Sequence, residues 1–190
     1  MPKEGAIIGV SDHNGWAVLV TLACDERVLD RRRIKLVDAD LPTMPHHHDA
    51  QGLPLAQALD LVERVRVSAE RHARLALAAV TSAAPSSIRG IAMRACPPLP
   101  PTIAQRLQDY RAQNVADTVM YRNALAGAAE SRGWPVYWYN AKKVFDAACD
   151  ALNINDLDAY FLKVRQSIGP PWNQDHKLAM AAAIVAARQT

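Results

Sequence analysis

The chain has 190 residues, 20.8 kDa, is 50% hydrophobic and 22% charged, and carries a formal net charge of +3. That is enough for one domain with a sizeable core, spanning residues 1–190, and too little for two comfortable ones. No apolar run is long enough to span a bilayer and no polar tract argues for disorder. The mild basic excess permits nucleic-acid binding without demanding it.

The opening run, MPKEGAIIGV, has too short an apolar part for a signal peptide. Cys24, Cys96 and Cys149 are widely spaced, so no disulfide framework and no CxxC knuckle arises. A reducing cytoplasm is the simplest reading. Ala6 to Val10 reads as a first strand, closed by the turn Ser11-Asp12-His13-Asn14-Gly15. Trp16 to Ala23 is continuously apolar, which suggests a strand buried on both faces. Arg27 to Val37 has a charged middle and fits an edge strand. The opening third is therefore a β-meander.

Asp38 to Gly52 reads as a loop, and Pro54 stands where a helix can begin. The apolar spacing predicts a helix from there to about Val80, with Asp60–Arg64 and Glu70–Arg74 as surface pairs. Ile88 to Ala95 is a fourth strand, stopped by the prolines from Pro97 to Pro101. Thr102 and Gln105 form a capping-box pattern that opens a helical region to about Arg132, interrupted near Asn114. Gly133 is a good C-terminal cap, and Trp134 to Tyr139 is a fifth strand, with Trp134 and Trp138 expected to pack inward. Asn140 is expected to cap a helix to Leu152. Asp156 begins another that ends at Gly169, and the alanine-rich last helix starts near Asn173.

This order, three strands and then helix, strand, helix, strand and terminal helices, is that of the ribonuclease H-like fold. The expectation is a five-stranded mixed α/β sheet, with a three-strand antiparallel meander and two parallel strands flanked by helices. Ala6–Val10 should lie centrally, beside the strand containing Ile91.

Within that fold the chain resembles the RuvC-type Holliday-junction resolvases. Ile7-Ile8-Gly9-Val10 with Asp12 and Gly15 is similar to the family's first strand, Gly-Ile-Asp-x-Gly. Ala124 to Tyr139 resembles its alanine-rich helix running into a Pro-Val strand, and Asn140 with Lys142 and Lys143 resembles the segment that follows. Asp175 to Ala183 is similar to its last helix, Asp-x-x-Asp-Ala-x-Ala-x-Ala. The resemblance implies two divalent cations, Mg or Mn, roughly 4 Å apart. About four carboxylates from the first strand, the fourth strand and the last helix would hold them. Asp175 matches one such position. The first-strand acid aligns with Ser11, next to Asp12. The fourth-strand acid falls at Met93-Arg94, and the second acid of the last helix at Leu178. Asp12 and Asp175 are thus the candidate catalytic and metal-ligating pair, and Asp175 is expected to approach the end of the first strand, close enough to share a water or metal with Asp12 or Ser11.

His46, His48 and Asp49 could add metal ligands, or belong to a solvated polar loop. Asp12 and His13 could be ligand and base, or ordinary turn residues. Arg31, Arg33 and Lys35 fall on one face of the third strand and could contact phosphates, as could Lys142 and Lys143. Arg94 is expected to bind an anion or to pair with Asp12 or Asp175 in place of a metal. No GxGxxG, P-loop, GxSxG or HExxH motif occurs. Two functions follow. One is a resolvase-like protein that binds structured nucleic acid, and that cleaves it with metal if its atypical site is active. The other is a non-catalytic module that keeps the fold and binds a protein partner.

Overall fold

Three antiparallel strands open the chain in the computed structural model, which describes residues 5–189. The first four residues and Thr190, counted in the expected domain, lie outside the described residues. The strands are β1 (Ala6–His13), β2 (Trp16–Ala23) and β3 (Val28–Lys35). The two residues Asn14-Gly15 join β1 to β2, with Gly15 at φ 82, where a side chain would be strained. Helix α1 (Leu55–Ala83) then crosses the sheet to β4 (Ile88–Arg94). Helices α2 (Ile103–Gln108) and α3 (Tyr110–Glu130) lead to β5 (Val136–Tyr139). Three helices close the chain, α4 (Val144–Leu152), α5 (Leu157–Ile168) and α6 (Gln174–Ala187).

The sheet order is β3-β2-β1-β4-β5, with β1 central and Ile8 opposite Ile91, as the sequence predicts. β4 runs parallel to both β1 and β5. Since β2 is antiparallel to both β1 and β3, the carboxyl ends of β1, β3, β4 and β5 all lie at one end of the sheet.

Strand alternation divides the core in two. Ile8, Val10, Leu19, Ile91 and Met93 face α1 and α3. Ile7, Val18, Val20, Ala92 and Tyr139 face α4, α5 and α6. The alanines of α6 let it lie close on β1. A Cβ at Gly9 would overlap the Ala179 carbonyl and come within 3.0 Å of the Ala183 nitrogen.

Several boundaries differ from expectation for local reasons. The loop 38–52 contains a one-turn π-helix, Pro45–Asp49. The helical region after Thr102 breaks at Asp109 rather than Asn114. There the Asp109 carboxylate accepts from the Arg111 and Ala112 N–H groups and starts a new helix. Asn140 accepts from Lys142 N in a turn, so α4 begins only at Val144. On α1, Arg66 pairs with Glu63 and Glu70, in place of the two expected pairs. Trp134 packs against the core, but Trp138 is 48% exposed because it alternates away from the buried Tyr139.

Candidate functional site at the carboxyl end of the sheet

β1 runs three residues into the expected turn, so Ser11, Asp12 and His13 are strand residues with alternating directions. Ser11 and His13 face α6. Asp12 faces α3. Asp175 therefore approaches the end of β1 on the side of Ser11, one of the two expected neighbours, whereas Asp12 shares that sheet end but lies on the opposite face.

On the α6 face, Asp175 sits in the first helical turn, where a carboxylate complements the helix dipole. Its Oδ1 accepts from Ser11 Oγ at 2.9 Å and lies 2.7 Å from His13 Nε2. Burial alone would raise the Asp175 pKa. The hydrogen bonds from His13 and then Ser11 outweigh it and hold the group below the usual 3.8. Burial and then the Arg31 charge hold the adjacent His176 below the usual imidazole range. His13 stacks on Trp16 with centroids 3.9 Å apart and planes 5° from parallel. The Arg33 guanidinium lies 3.8 Å from the same indole. Two groups this close to one ring must take opposite faces, so Trp16 is sandwiched between β1 and β3 neighbours.

On the α3 face, the buried Asp12 is paired with buried Arg122, Nε to Oδ2 at 2.7 Å. Arg122 Nη1 also donates to the Ala95 carbonyl at 3.2 Å. The cation expected from Arg94 thus comes from α3 instead. Arg94 ends β4 beside Tyr139 on the other face, and its Nε is buried without a hydrogen-bond partner among the described residues. Tyr139 donates to the Val10 carbonyl at 2.8 Å. Burial and then the Asp12 charge push its pKa up to about 12, so the phenol stays protonated at neutral pH. Burial likewise raises the Cys96 thiol.

His46, His48 and Asp49 do not converge on this end of the sheet as a metal set. His46 is buried against α3, where its backbone N–H and ring Nδ1 meet Asp117 Oδ1 at 2.9 and 2.8 Å. His48 turns instead to His47, Nε2 to Nδ1 at 3.1 Å. Asp49 closes the π-turn. Among the described residues no three His, Cys, Asp or Glu side chains stand together as metal ligands. Nor do the residues at the resemblance positions fit a pair of divalent cations. Ser11 supplies a hydroxyl, Met93 and Arg94 supply no acid, and Leu178 is apolar. Only Asp175 remains, where a two-cation site needs about four hard oxygen donors.

The basic candidates also separate. Arg31 is spent on structure, since its guanidinium donates to the carbonyls of Ile168, Gly169, Pro170 and Pro171 at 2.7–3.0 Å. Arg33 and Lys35 are exposed at the carboxyl end of β3, and Lys142 and Lys143 are exposed just past β5. Arg122 was not foreseen, although a charge among the apolar positions of a helix signals a buried partner.

The Asp175 cluster has a measurable pH signature. A carboxylate whose folded pKa is depressed adds stability above about pH 4 and loses it as the pH falls through its folded value. Asp175→Asn should therefore narrow its stability gap to the wild type on acidification below pH 4. Urea unfolding at pH 7 and at pH 3 measures this, and a gap that stays constant would detach Asp175 from acid stability.

No family model and no curated protein matches the sequence. Among solved structures, the chain is similar to Thermus thermophilus RuvC in complex with a Holliday junction substrate. The TM-score is 0.56 at 14% identity, over 97% of this chain and 94% of that one. A second Thermus thermophilus RuvC structure matches over the same shares at TM-score 0.50 and 14% identity. The chain therefore has a RuvC-like, ribonuclease H-like fold, and identity this low carries the fold alone.

Proposed function

We propose that this protein binds branched or otherwise structured nucleic acid across the carboxyl end of its sheet, and that it does so without efficient phosphodiester cleavage. The observation that carries the reading is that Arg33 with Lys35, and Lys142 with Lys143, are exposed at that same end of the sheet, one pair at each edge. The crevice outside the carboxyl ends of strands is where open α/β sheets place ligands. The cations would contact phosphates, and Asp175, held by Ser11 and His13, would set the floor between them. The likeness to a resolvase seen with a junction supports the choice of a branched partner.

The hydrolytic half of the resemblance is not carried over. Arg122 neutralises Asp12, and Ser11 holds Asp175 as a hydrogen-bond donor rather than as a second carboxylate. A fixed guanidinium repels a divalent cation from the one acid it contacts.

The test uses the full chain with fluorescent four-way junction and plain duplex, with magnesium or manganese. Junction binding should weaken with salt. Four phosphate contacts imply a loss on the order of 100-fold between 50 and 200 mM. Products should not accumulate. Robust cleavage that disappears in both Asp12→Asn and Asp175→Asn would overturn the non-hydrolytic reading. Absence of binding to either DNA would overturn the nucleic-acid reading and favour a protein partner.

A further inference from the structure

Between the carboxyl end of β3 and the segment that follows it lies a cavity of about 520 Å³. Trp16, Val37, Leu41 and Thr43 are among the residues that line it. Val37 is buried, and Leu41 packs against the larger core cluster, so these walls are fixed rather than loose. Arg33 and Lys35 also line the cavity, and both are exposed. Among the described residues no carboxylate pairs with either. The one acid on the lining, Asp38, is already engaged by Ser68, Arg71 and His72.

We propose that this cavity receives a single unpaired nucleotide, with the base inside and its phosphate on Arg33 and Lys35. The inference rests on the nucleic-acid reading above and names what that surface selects. The volume lies within the range of small-molecule sites, and apolar walls beside a few polar groups are how such sites hold a flat ligand. Two cations at the rim with no carboxylate partner can hold an anion through charge-assisted hydrogen bonds. An apolar body joined to a compact anion describes a nucleotide better than free phosphate, which has no use for the walls. It also fits better than a fatty acid, which needs a longer channel. Trp16 cannot offer a face, because His13 and Arg33 cover both of its faces. That leaves Trp16 only its edge to contribute, and the exposed guanidinium of Arg33 is a planar group on which a base can stack. A base in a duplex cannot reach such a site without leaving its stack, so the cavity would favour junction centres, bulges and single-stranded ends.

The test is saturation-transfer NMR on the full chain with thymidine 5′-monophosphate and with thymidine, alongside anisotropy of junctions with and without one unpaired thymidine. Transfer to the thymine protons of the monophosphate is expected, with binding roughly tenfold weaker for the nucleoside. Leu41→Trp, which fills the cavity, should abolish it. Lys35→Ala, at an exposed position that does not threaten the fold, should weaken it by a similar tenfold. The unpaired junction should bind more tightly in the wild type, and this advantage should vanish in both variants. Monophosphate binding that is equal in wild type and both variants would overturn the cavity. So would junction binding that ignores the unpaired residue while no monophosphate binds, and the nucleic-acid reading would then stand alone. Variant-sensitive monophosphate binding without any junction binding would support the cavity and remove the junction.

Discussion

Replacing Arg122 with alanine should destabilise the protein by about 3–5 kcal/mol, the cost of leaving a buried carboxylate without its counter-charge. The Asp12 side chain is fully buried on the α3 face, and among the described residues its carboxylate accepts a hydrogen bond from Arg122 alone. For a chain of this size the loss corresponds to a fall in Tm on the order of 10 °C. The double variant Asp12→Asn with Arg122→Met should be less destabilised than Arg122→Ala alone, because no charge is then stranded. Thermal and urea unfolding of the three variants measure it. An Arg122→Ala protein as stable as the wild type would mean that Asp12 is hydrated and the pair is ornamental.

Gly9→Ala should be nearly as damaging, and for a different reason. A methyl group there meets the α6 backbone at Ala179, which no rotamer change can move. Overpacking typically costs 1–3 kcal/mol, and an obstacle made of main chain points to the upper end, about 3 kcal/mol. The helix would have to lift from β1, carrying Asp175 away from Ser11 and His13. Gly127 is the control. It lies in α3 with open space where a Cβ would go. Alanine there should stabilise by up to about 1 kcal/mol, through helix propensity alone. Urea unfolding of both variants decides it, and a Gly9→Ala protein of wild-type stability would show that the contact between α6 and β1 is slack.

The fold was legible because its signals are local. Asn14-Gly15 marks the hairpin, Thr102 with Gln105 and Asn173 mark helix starts, and continuous apolarity in Trp16–Ala23 marks a strand covered on both sides. The order of elements then left few ways to wind the sheet. The site was less legible because its signals are distant. Ser11-Asp12-His13 reads as a polar turn, yet all three are strand residues whose polar groups find partners more than 100 positions away. Nothing near Arg31 hints that its guanidinium gathers four carbonyls from residues 168–171. His46 looks like a ligand until Asp117 is seen to hold its ring and backbone. In α3, Asp117 and Arg122 interrupt an alanine-rich pattern, and each marks a buried partner that spacing alone cannot identify.

The alternation at the end of β1 also makes this segment sensitive to length rather than to composition. One residue inserted between Val10 and Ser11 would exchange the two neighbourhoods. The hydroxyl of Ser11 would then face Arg122, and Asp12 would turn toward Asp175, setting two carboxylates against each other with no cation between them. Substitution leaves that bookkeeping intact, because each position keeps its side of the sheet. The spacing from Gly9 to Gly15 therefore fixes which side chain faces which helix. A carboxylate introduced at position 11 would face Asp175 directly, whereas the one at position 12 faces Arg122.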